Sequence, residues 1–204
     1  MSIYALKSRF QDLLRPLVRR MAAAGVSANQ VTIAAAVISL LVAAVVWRWA
    51  PTQPGLYLLL PLWLLLRMAL NAIDGMLARE FGQRSNLGAY LNELGDVVAD
   101  AALYLSLLGL AGISATMIWL FVLAAVVTEL AGVLGVMVGA TRRYDGPMGK
   151  SDRAFVVGAI GLGLAIGWLS PPVVNGVLAA AIGLCGATIV QRVRRGLAQA
   201  PAPS

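Results

Sequence analysis

Apolar residues fill long runs of this chain, and short breaks containing proline, glycine, serine or charged residues separate them. Each run is close to the roughly 20 residues that an α-helix needs to cross the hydrocarbon core of a bilayer. The breaks are typical of turns between helices. Six runs follow from this pattern, at about residues 30–50, 55–78, 87–111, 115–140, 153–170 and 172–191. We therefore predict an all-α membrane protein with six transmembrane helices.

The two ends of the chain differ from these runs. The first 22 residues are basic and amphipathic, which favours a helix that lies along the membrane surface. The last residues are small and proline-containing, which favours disorder. We divide the chain into an amphipathic juxtamembrane helix at residues 1–28, a six-helix domain at residues 29–196 and a disordered tail at residues 197–204.

Positive charge alternates with the number of predicted crossings. Cations precede the first run, separate the second from the third and the fourth from the fifth, and follow the last. The other connections contribute only Arg48. The positive-inside rule then places both termini on the cytoplasmic side. The cations that support this orientation are Lys7, Arg9, Arg15, Arg19, Arg20, Arg79, Arg84, Arg142, Arg143, Lys150, Arg153, Arg192, Arg194 and Arg195.

The composition supports a membrane protein and excludes several other classes. Of the 204 residues, 60% are hydrophobic and 12% are charged, which is more apolar surface than a soluble domain could bury. The net charge of +7 does not predict nucleic-acid binding, because cations beside apolar runs typically set topology and contact anionic lipids. The single Cys185 excludes an intrachain disulfide and a cysteine-cluster metal site. Since the chain has no histidine, a general base has to be a carboxylate, a lysine or a tyrosine.

One stretch gathers polar residues at the facing ends of the second and third runs. Side chains three or four residues apart share one face of a helix. The second run therefore has a polar face that carries Arg67, Asn71, Asp74 and Ala78. The third run has a polar face that carries Asn92, Asp96 and Asp100, with Glu93 close by. A short turn joins the two runs, so the faces can meet, and their oxygen atoms suit a hard cation such as Mg²⁺, Mn²⁺ or Ca²⁺.

Two interpretations of this stretch compete. Polar side chains at the ends of spans can simply reach water, which suits Arg79 and Arg84 beside the connecting turn. Asp96 and Asp100 lie deeper in a span, where an unpaired carboxylate is costly, so a functional site explains them better. Gly75 permits close approach to the helix backbone, and Arg79 offers a fork for phosphate. Carboxylates that hold a metal beside such an arginine describe a site for a diphosphate ester.

These residues resemble the signature of the CDP-alcohol phosphotransferase family (class I CDP-alcohol phosphatidyltransferases), which is D-x2-D-G-x2-A-R-x8-G-x3-D-x3-D. This chain reads Asn71-x2-Asp74-Gly75-x2-Ala78-Arg79-x8-Gly88-x3-Asn92-x3-Asp96. Every spacing fits, and six of the eight fixed identities match. The segment SANQVT, from Ser27 to Thr32, also resembles the family's segment near the cytidine site.

The resemblance implies a reaction. A membrane enzyme of phospholipid biosynthesis would bind CDP-diacylglycerol or another CDP-linked donor, with Mg²⁺ or Mn²⁺ on the diphosphate. The hydroxyl of a small acceptor alcohol would attack the phosphorus that carries the lipid, and CMP would leave. The resemblance also implies a homodimer, a six-helix membrane fold over nearly the whole chain, and a location in the bacterial inner membrane with the site on the cytoplasmic side.

The resemblance assigns roles position by position. Asp96 matches the aspartate that acts as the general base and lies beside the metal. The matching metal positions are Asn71, Asp74, Asn92 and Asp96. The positions that match or accompany the donor site are Asn29, Thr32, Gly75, Ala78, Arg79, Ser85 and Gly88.

Asn71 and Asn92 depart from the family pattern, which has aspartates there. An amide oxygen can ligate a cation but does not neutralise its charge, so affinity for a second metal should fall. Three interpretations follow. Glu93 and Asp100 could restore the charge in an active variant enzyme. One metal could suffice, with a different donor or acceptor. Catalysis could have lapsed, which would leave a protein that binds nucleotide-lipid or a partner.

Other charged residues suggest an acceptor site and a buried ion pair. Lys150 and Arg153 begin the fifth run and could hold the phosphate of an acceptor, for which glycerol 3-phosphate is the simplest candidate. Arg67 and Glu129 lie inside spans, where a charged residue is a candidate for direct chemistry, but we favour a mutual ion pair that fixes helix packing. A cation or proton transporter is the rival class, but the spans carry almost no polar residues toward the far side apart from Glu129.

Overall fold

The structure is a computed structural model that describes the backbone of residues 3–201 and the side chains of residues 9–201. Within these residues there are helices and no strands. The α-helices are α1 (Ile3–Ala23), α2 (Ala28–Trp49), α3 (Leu59–Glu80), α4 (Asn86–Leu105), α5 (Ala115–Met137), α6 (Lys150–Ala165) and α7 (Pro171–Gln199). Two 3-10 segments, Pro54–Leu58 and Ser106–Gly109, precede α3 and follow α4. The predicted all-α fold is confirmed.

The apolar helices are those of a membrane protein. Among the described residues, α2, α5, α7 and the segment Pro54–Glu80 are long and apolar enough to cross a bilayer. By the same measure α4 falls short because it carries Glu93, Asp96 and Asp100, and α6 falls short because it has 16 residues. Six crossings and a cytoplasmic location of both termini therefore stay predictions.

The end of α6 differs from the predicted run. The sequence pattern predicts a helix over 153–170, but α6 begins at Lys150 and ends at Ala165. Gly167 adopts a φ of +73°, and the Trp168 amide donates to the Gly163 carbonyl at 2.8 Å. This is a Schellman ending, in which a glycine in the left-handed region turns the chain out of the helix. An apolar run continues through the turn, so hydrophobicity alone places the end too late.

The C-terminal helix also differs from its prediction. The disordered tail is predicted from residue 197, but α7 continues through Gln199, and residues 202–204 lie outside the described part. The Gln199 side-chain oxygen accepts hydrogen bonds from Arg143 at 2.7 Å and from the Thr141 hydroxyl at 3.0 Å. These bonds stabilise the last helical turn against the loop that joins α5 to α6.

That loop, residues 138–149, is held to α7 by charge as well. Asp145 accepts hydrogen bonds from Arg143 at 2.8 Å and from Arg195 at 2.6 Å. Burial raises the pKa of the Asp145 carboxyl, but the two arginines outweigh it and hold that pKa below its usual value. These contacts therefore fix the loop, which leads into α6 at Lys150.

The helices pack around two apolar cores. The larger core joins α2 through α7 and contains Trp63, Leu103, Phe121 and Ile160. The smaller core joins α1, α2 and α3 through Val18, Val31, Ile73, Met76 and Leu77. Large apolar side chains such as those of Leu41, Leu62 and Leu123 remain exposed on the outside, which suits a lipid environment. The small core fixes α2 against α3 at the end of the bundle where the polar stretch lies.

Candidate active site

A cavity of about 410 Å³ lies between the first turns of α2, the last turns of α3 and the first turns of α4. All seven residues predicted to contact the donor line it, together with three of the predicted metal ligands. The sequence prediction missed four further lining residues. The complete lining consists of Ala28, Asn29, Thr32, Asn71, Asp74, Gly75, Ala78, Arg79, Gln83, Arg84, Ser85, Gly88, Ala89 and Asn92.

Two helix N-termini open onto this cavity. Ser27 caps α2 through a capping box, in which the Gln30 amide donates to the Ser27 hydroxyl at 3.2 Å. Ser85 caps α4 by accepting a hydrogen bond from the Gly88 amide at 2.9 Å. Helix N-termini present free N–H groups and positive potential, so this wall favours an anionic ligand.

Glycines at two positions bring polar groups close to the helix backbones. A Cβ added to Gly75 would lie 3.0 Å from both terminal nitrogens of Arg79, so the guanidinium lies directly over that glycine. A Cβ added to Gly88 would lie 2.7 Å from the side-chain oxygen of Asn29. The glycines of the motif are therefore needed for space, since neither has a positive φ.

Asp74 is the carboxylate that lines the cavity. Its side chain is largely buried, and its Oδ2 accepts a hydrogen bond from the Thr32 hydroxyl at 2.9 Å. The Ala28 carbonyl oxygen lies 3.1 Å from the same hydroxyl, so the single hydroxyl hydrogen is shared between the two acceptors. Asn71 and Asn92 lie on the same wall. The start of α2 therefore positions the principal carboxylate of α3.

Asp96, the predicted general base, lies behind this wall and contacts three polar side chains. Arg67 binds its Oδ1 at 3.0 Å, and the Asn71 amide donates to the same oxygen at 3.4 Å. The Lys150 ammonium forms an ion pair with Oδ2. Lys150 comes from the first turn of α6, so the fold brings together the predicted base and a residue predicted to bind the acceptor.

Asp100 and Glu93 are placed differently from the prediction that they restore charge at the metal site. Asp100 is buried and forms an ion pair with Arg67. Glu93 forms an ion pair with Arg142 at 2.5 Å. Neither side chain lines the cavity, and an arginine neutralises each carboxylate. The predicted compensation by these two carboxylates therefore stays a prediction, in an arrangement that gives each of them an arginine partner.

The predicted pairing of Arg67 with Glu129 is wrong. Arg67 turns toward Asp96 and Asp100 on α4. Glu129 on α5 instead contacts three other arginines, Arg153 at 2.7 Å, Arg142 at 3.1 Å and Arg192 at 3.5 Å. The rotation of α3 and α5 within the bundle decides between these partners, and the spacing along one helix carries no information about it.

Arg153 is predicted to bind the acceptor, but its side chain lies buried away from the site. Its side chain is 1% exposed, and its guanidinium binds Glu129, the Thr128 hydroxyl at 3.3 Å and the Met148 carbonyl at 3.0 Å. The contacts with Glu129 and Thr128 fix α6 against α5. Lys150, with 30% of its side chain exposed, is the predicted acceptor residue that remains beside Asp96.

The oxygen atoms on the cavity wall are the groups that could hold a divalent cation. Within the described residues, no group of three or more His, Cys, Asp and Glu side chains is placed to hold a metal ion. The wall offers the Asp74 carboxylate with the amide oxygens of Asn71 and Asn92. Mg²⁺ is typically bound through one or two carboxylates, substrate phosphates and water, and this set meets that requirement.

Gln83 and Arg84 are two polar residues that line the cavity and were not predicted from the sequence as site residues. Gln83 accepts a hydrogen bond from the Ala28 amide at 2.7 Å and donates to the Val26 carbonyl at 3.3 Å. It thereby joins the α3–α4 turn to the start of α2. The sequence signal that could have indicated this contact is the preceding Gly82. Its φ of +69° ends α3 and turns the chain toward α2.

Comparison with known proteins gives the class to which this fold and site belong. Residues 25–189 match the family described as CDP-alcohol phosphatidyltransferase. The match covers most of the chain, so the protein belongs to the CDP-alcohol phosphatidyltransferase family, and the resemblance read from the motif is confirmed.

One relative and two solved structures place the chain within the family. The "Inner membrane protein YnbA" of Escherichia coli (strain K12) is 47% identical over 166 residues, which are 81% of this chain and 82% of YnbA. The phosphatidylinositol phosphate synthase PgsA1 of Mycobacterium tuberculosis, in complex with manganese and citrate, has a TM-score of 0.75 at 19% identity over 92% of this chain and 90% of that chain. The same synthase with CDP-DAG bound has a TM-score of 0.76 at 19% identity over 92% and 94% of the two chains. At this identity the two structures establish the shared fold.

Proposed function

We propose that the protein transfers the phosphatidyl group of CDP-diacylglycerol to the hydroxyl of a small alcohol and releases CMP. The observation that carries this proposal is the cavity, which brings seven of the eight residues of the family motif, all but Asp96, onto one wall beside two helix N-termini. The CDP-DAG bound in PgsA1 supports the choice of donor. The inner-membrane relative supports a location in the bacterial inner membrane, with CDP-diacylglycerol reached from the lipid.

Different residues of the chain would bind the diphosphate and the metal ion. Arg79 and the first turns of α2 and α4 would bind the anionic diphosphate, while Asn29 and Ser85 border the same space. Asp74 with Asn71 and Asn92 would hold a Mg²⁺ or Mn²⁺ ion. When bound, that ion supplies positive charge that stabilises the diphosphate and the departing phosphate.

Asp96 would take the proton in the transfer. A new P–O bond forms between the acceptor oxygen and the phosphorus that carries the lipid, and the P–O bond to CMP breaks. The hydroxyl proton passes to Asp96 as the acceptor attacks. A carboxylate has about four lone-pair directions, so Asp96 can accept this proton while its other directions face Arg67 and Lys150.

The finer part of the proposal concerns the acceptor. An ammonium has three N–H donors, so Lys150 can contact Asp96 and a phosphate at the same time. A phosphorylated alcohol such as glycerol 3-phosphate would then place its phosphate near Lys150 and its hydroxyl near Asp96. We also propose a homodimer, as the family resemblance implies.

The deciding experiment measures CMP released by the purified protein. CDP-diacylglycerol and Mg²⁺ or Mn²⁺ are supplied with a panel of alcohols that includes glycerol 3-phosphate, serine and inositol phosphate. We expect CMP release with one acceptor. Binding of CDP without release in any mixture would instead support the catalytically silent binder, for which the two asparagines are the favouring observation. Neither binding nor release would contradict both.

Replacing Gly75 with Ala tests the donor site. The new Cβ would lie 3.0 Å from both terminal nitrogens of Arg79, so the guanidinium has to shift by a few tenths of an ångström. We expect CDP binding to weaken by up to about tenfold, because the shifted guanidinium makes a poorer charge-assisted hydrogen bond to the diphosphate. Calorimetric titration with CDP measures the change.

Gly176→Ala is the matched control for this substitution. Gly176 lies in α7, and an added Cβ would meet nothing within 4 Å. CDP affinity should therefore match that of the unchanged protein. Equal affinity in the Gly75→Ala and Gly176→Ala chains would show that the Arg79 guanidinium does not bind the diphosphate.

A further inference from the structure

The two oxygens of Asp96 already face positive or donating groups from the chain itself. Oδ1 accepts hydrogen bonds from Arg67 and Asn71, and Oδ2 forms the ion pair with Lys150. Arg67 is also paired with Asp100. Because Arg67 divides its charge between Asp96 and Asp100, the Lys150 ammonium supplies a large part of the charge that balances Asp96.

Lys150 occupies a position that its own helix does not favour. It is the first residue of α6, and a cation at a helix N-terminus opposes the positive end of the helix dipole. Asp152 in the same turn instead follows the rule, since its carboxylate accepts a hydrogen bond from the Gly149 amide at 2.9 Å. Helix formation therefore does not favour a lysine at this position, and the ion pair with Asp96 offsets that cost.

The remaining charge at the site suits one divalent cation. Asp74 is the carboxylate that lines the cavity, and the amides of Asn71 and Asn92 are neutral. The Asn71 nitrogen is turned toward Asp96, which leaves its carbonyl oxygen to face elsewhere. With Lys150 counted against Asp96, the group of Asp74, Asp96 and Lys150 carries a net charge of −1.

We propose that this site binds one divalent cation, at Asp74, and that the Lys150 ammonium serves as a fixed second cation on Asp96. The neutral amides of Asn71 and Asn92 and the Lys150 ammonium then act in the same direction, because both disfavour a second divalent ion. Two divalent ions would place excess positive charge beside Lys150 and Arg67. This inference rests on the proposed function for its chemical role, but its test does not require turnover.

The test counts Mn²⁺ ions bound by the full chain in detergent, in the presence of CDP, by electron paramagnetic resonance. We expect the unchanged protein to saturate at one Mn²⁺ per chain. Lys150→Gln removes a charge that repels the ion, so Mn²⁺ affinity should rise by on the order of tenfold. In the chain that combines Asn71→Asp, Asn92→Asp and Lys150→Gln, a second Mn²⁺ should bind.

Two control variants separate local charge from other effects. Lys150→Arg keeps the charge, so its Mn²⁺ affinity should stay close to that of the unchanged protein. Arg194→Gln removes an exposed cation from α7 and should leave Mn²⁺ binding unchanged. An equal gain in affinity in the Arg194→Gln and Lys150→Gln chains would show a general charge effect and contradict the inference.

The count in the unchanged protein decides the inference even where the Lys150→Gln chain does not fold. Two Mn²⁺ per chain, or none, overturns it, and so does a folded Lys150→Gln chain with unaltered affinity. CMP release is measured in the same preparations. One Mn²⁺ without CMP release contradicts the proposed function alone, whereas two Mn²⁺ with CMP release contradict this inference alone.

Discussion

Asp96→Asn is expected to lower CMP release by a factor of about 10² to 10⁴, the range that a positioned general base contributes. The amide cannot take the acceptor proton, while the cavity wall that holds the diphosphate does not include residue 96. CDP affinity should therefore change little. Initial rates of CMP release and calorimetric titration with CDP measure the two effects separately.

Asp12→Asn is the control for the Asp96 substitution. Asp12 lies on α1, with 62% of its side chain exposed, and pairs with Arg15 in the same helix. Its replacement should leave CMP release unchanged. An Asp96→Asn chain that keeps the rate of the Asp12→Asn chain would place the base elsewhere, with Asp100 the next carboxylate to test.

Glu129→Gln should cause the largest loss of stability. Glu129 contacts Arg142, Arg153 and Arg192, and the last two arginines are 1% and 2% exposed. Removing the carboxylate leaves two buried cations without their common partner, and breaking such a buried pair typically costs about 3–5 kcal/mol. A lower free energy of unfolding, measured by titration with SDS in mixed micelles, is the expected result.

Glu80→Gln provides the matched control. Glu80 makes an ion pair with Arg15 at 3.1 Å, and both side chains are more than one-third exposed. Water and salt screen such a pair, so the free energy of unfolding should hardly change. Equal stability of the Glu129→Gln and Glu80→Gln chains would show that the cluster around Glu129 does not hold α5, α6 and α7 together.

Local patterns predict most of the fold because they depend on short distances along the chain. The apolar runs identify six of the seven helices, and the amphipathic pattern identifies α1. The ends of α6 and α7 are less predictable. A glycine turn at Gly167 ends α6 inside an apolar run, and contacts of Gln199 with the loop extend α7 into a segment whose composition favours disorder.

The residues of α3 that line the cavity can likewise be predicted from short distances along the chain. Asp74, Gly75, Ala78 and Arg79 lie within about one turn of one helix, and their spacing places them on the same wall whatever the rest of the bundle does. The motif therefore predicts the cavity residues of α3 and α4. Gln83 was missed because it contributes through hydrogen bonds to the backbone of α2, a partner that no spacing indicates.

The sequence by itself determined the class of protein, the helices and most of the residues that line the cavity, because helical period and apolar length are properties of neighbouring residues. The tertiary structure alone decided how the charges pair. Arg67 turned to Asp96 and Asp100, Glu129 took three arginines, and Lys150 reached Asp96. These partners come from different helices, so the choice among them depends on the rotation and packing of the helices, which position along one chain does not specify.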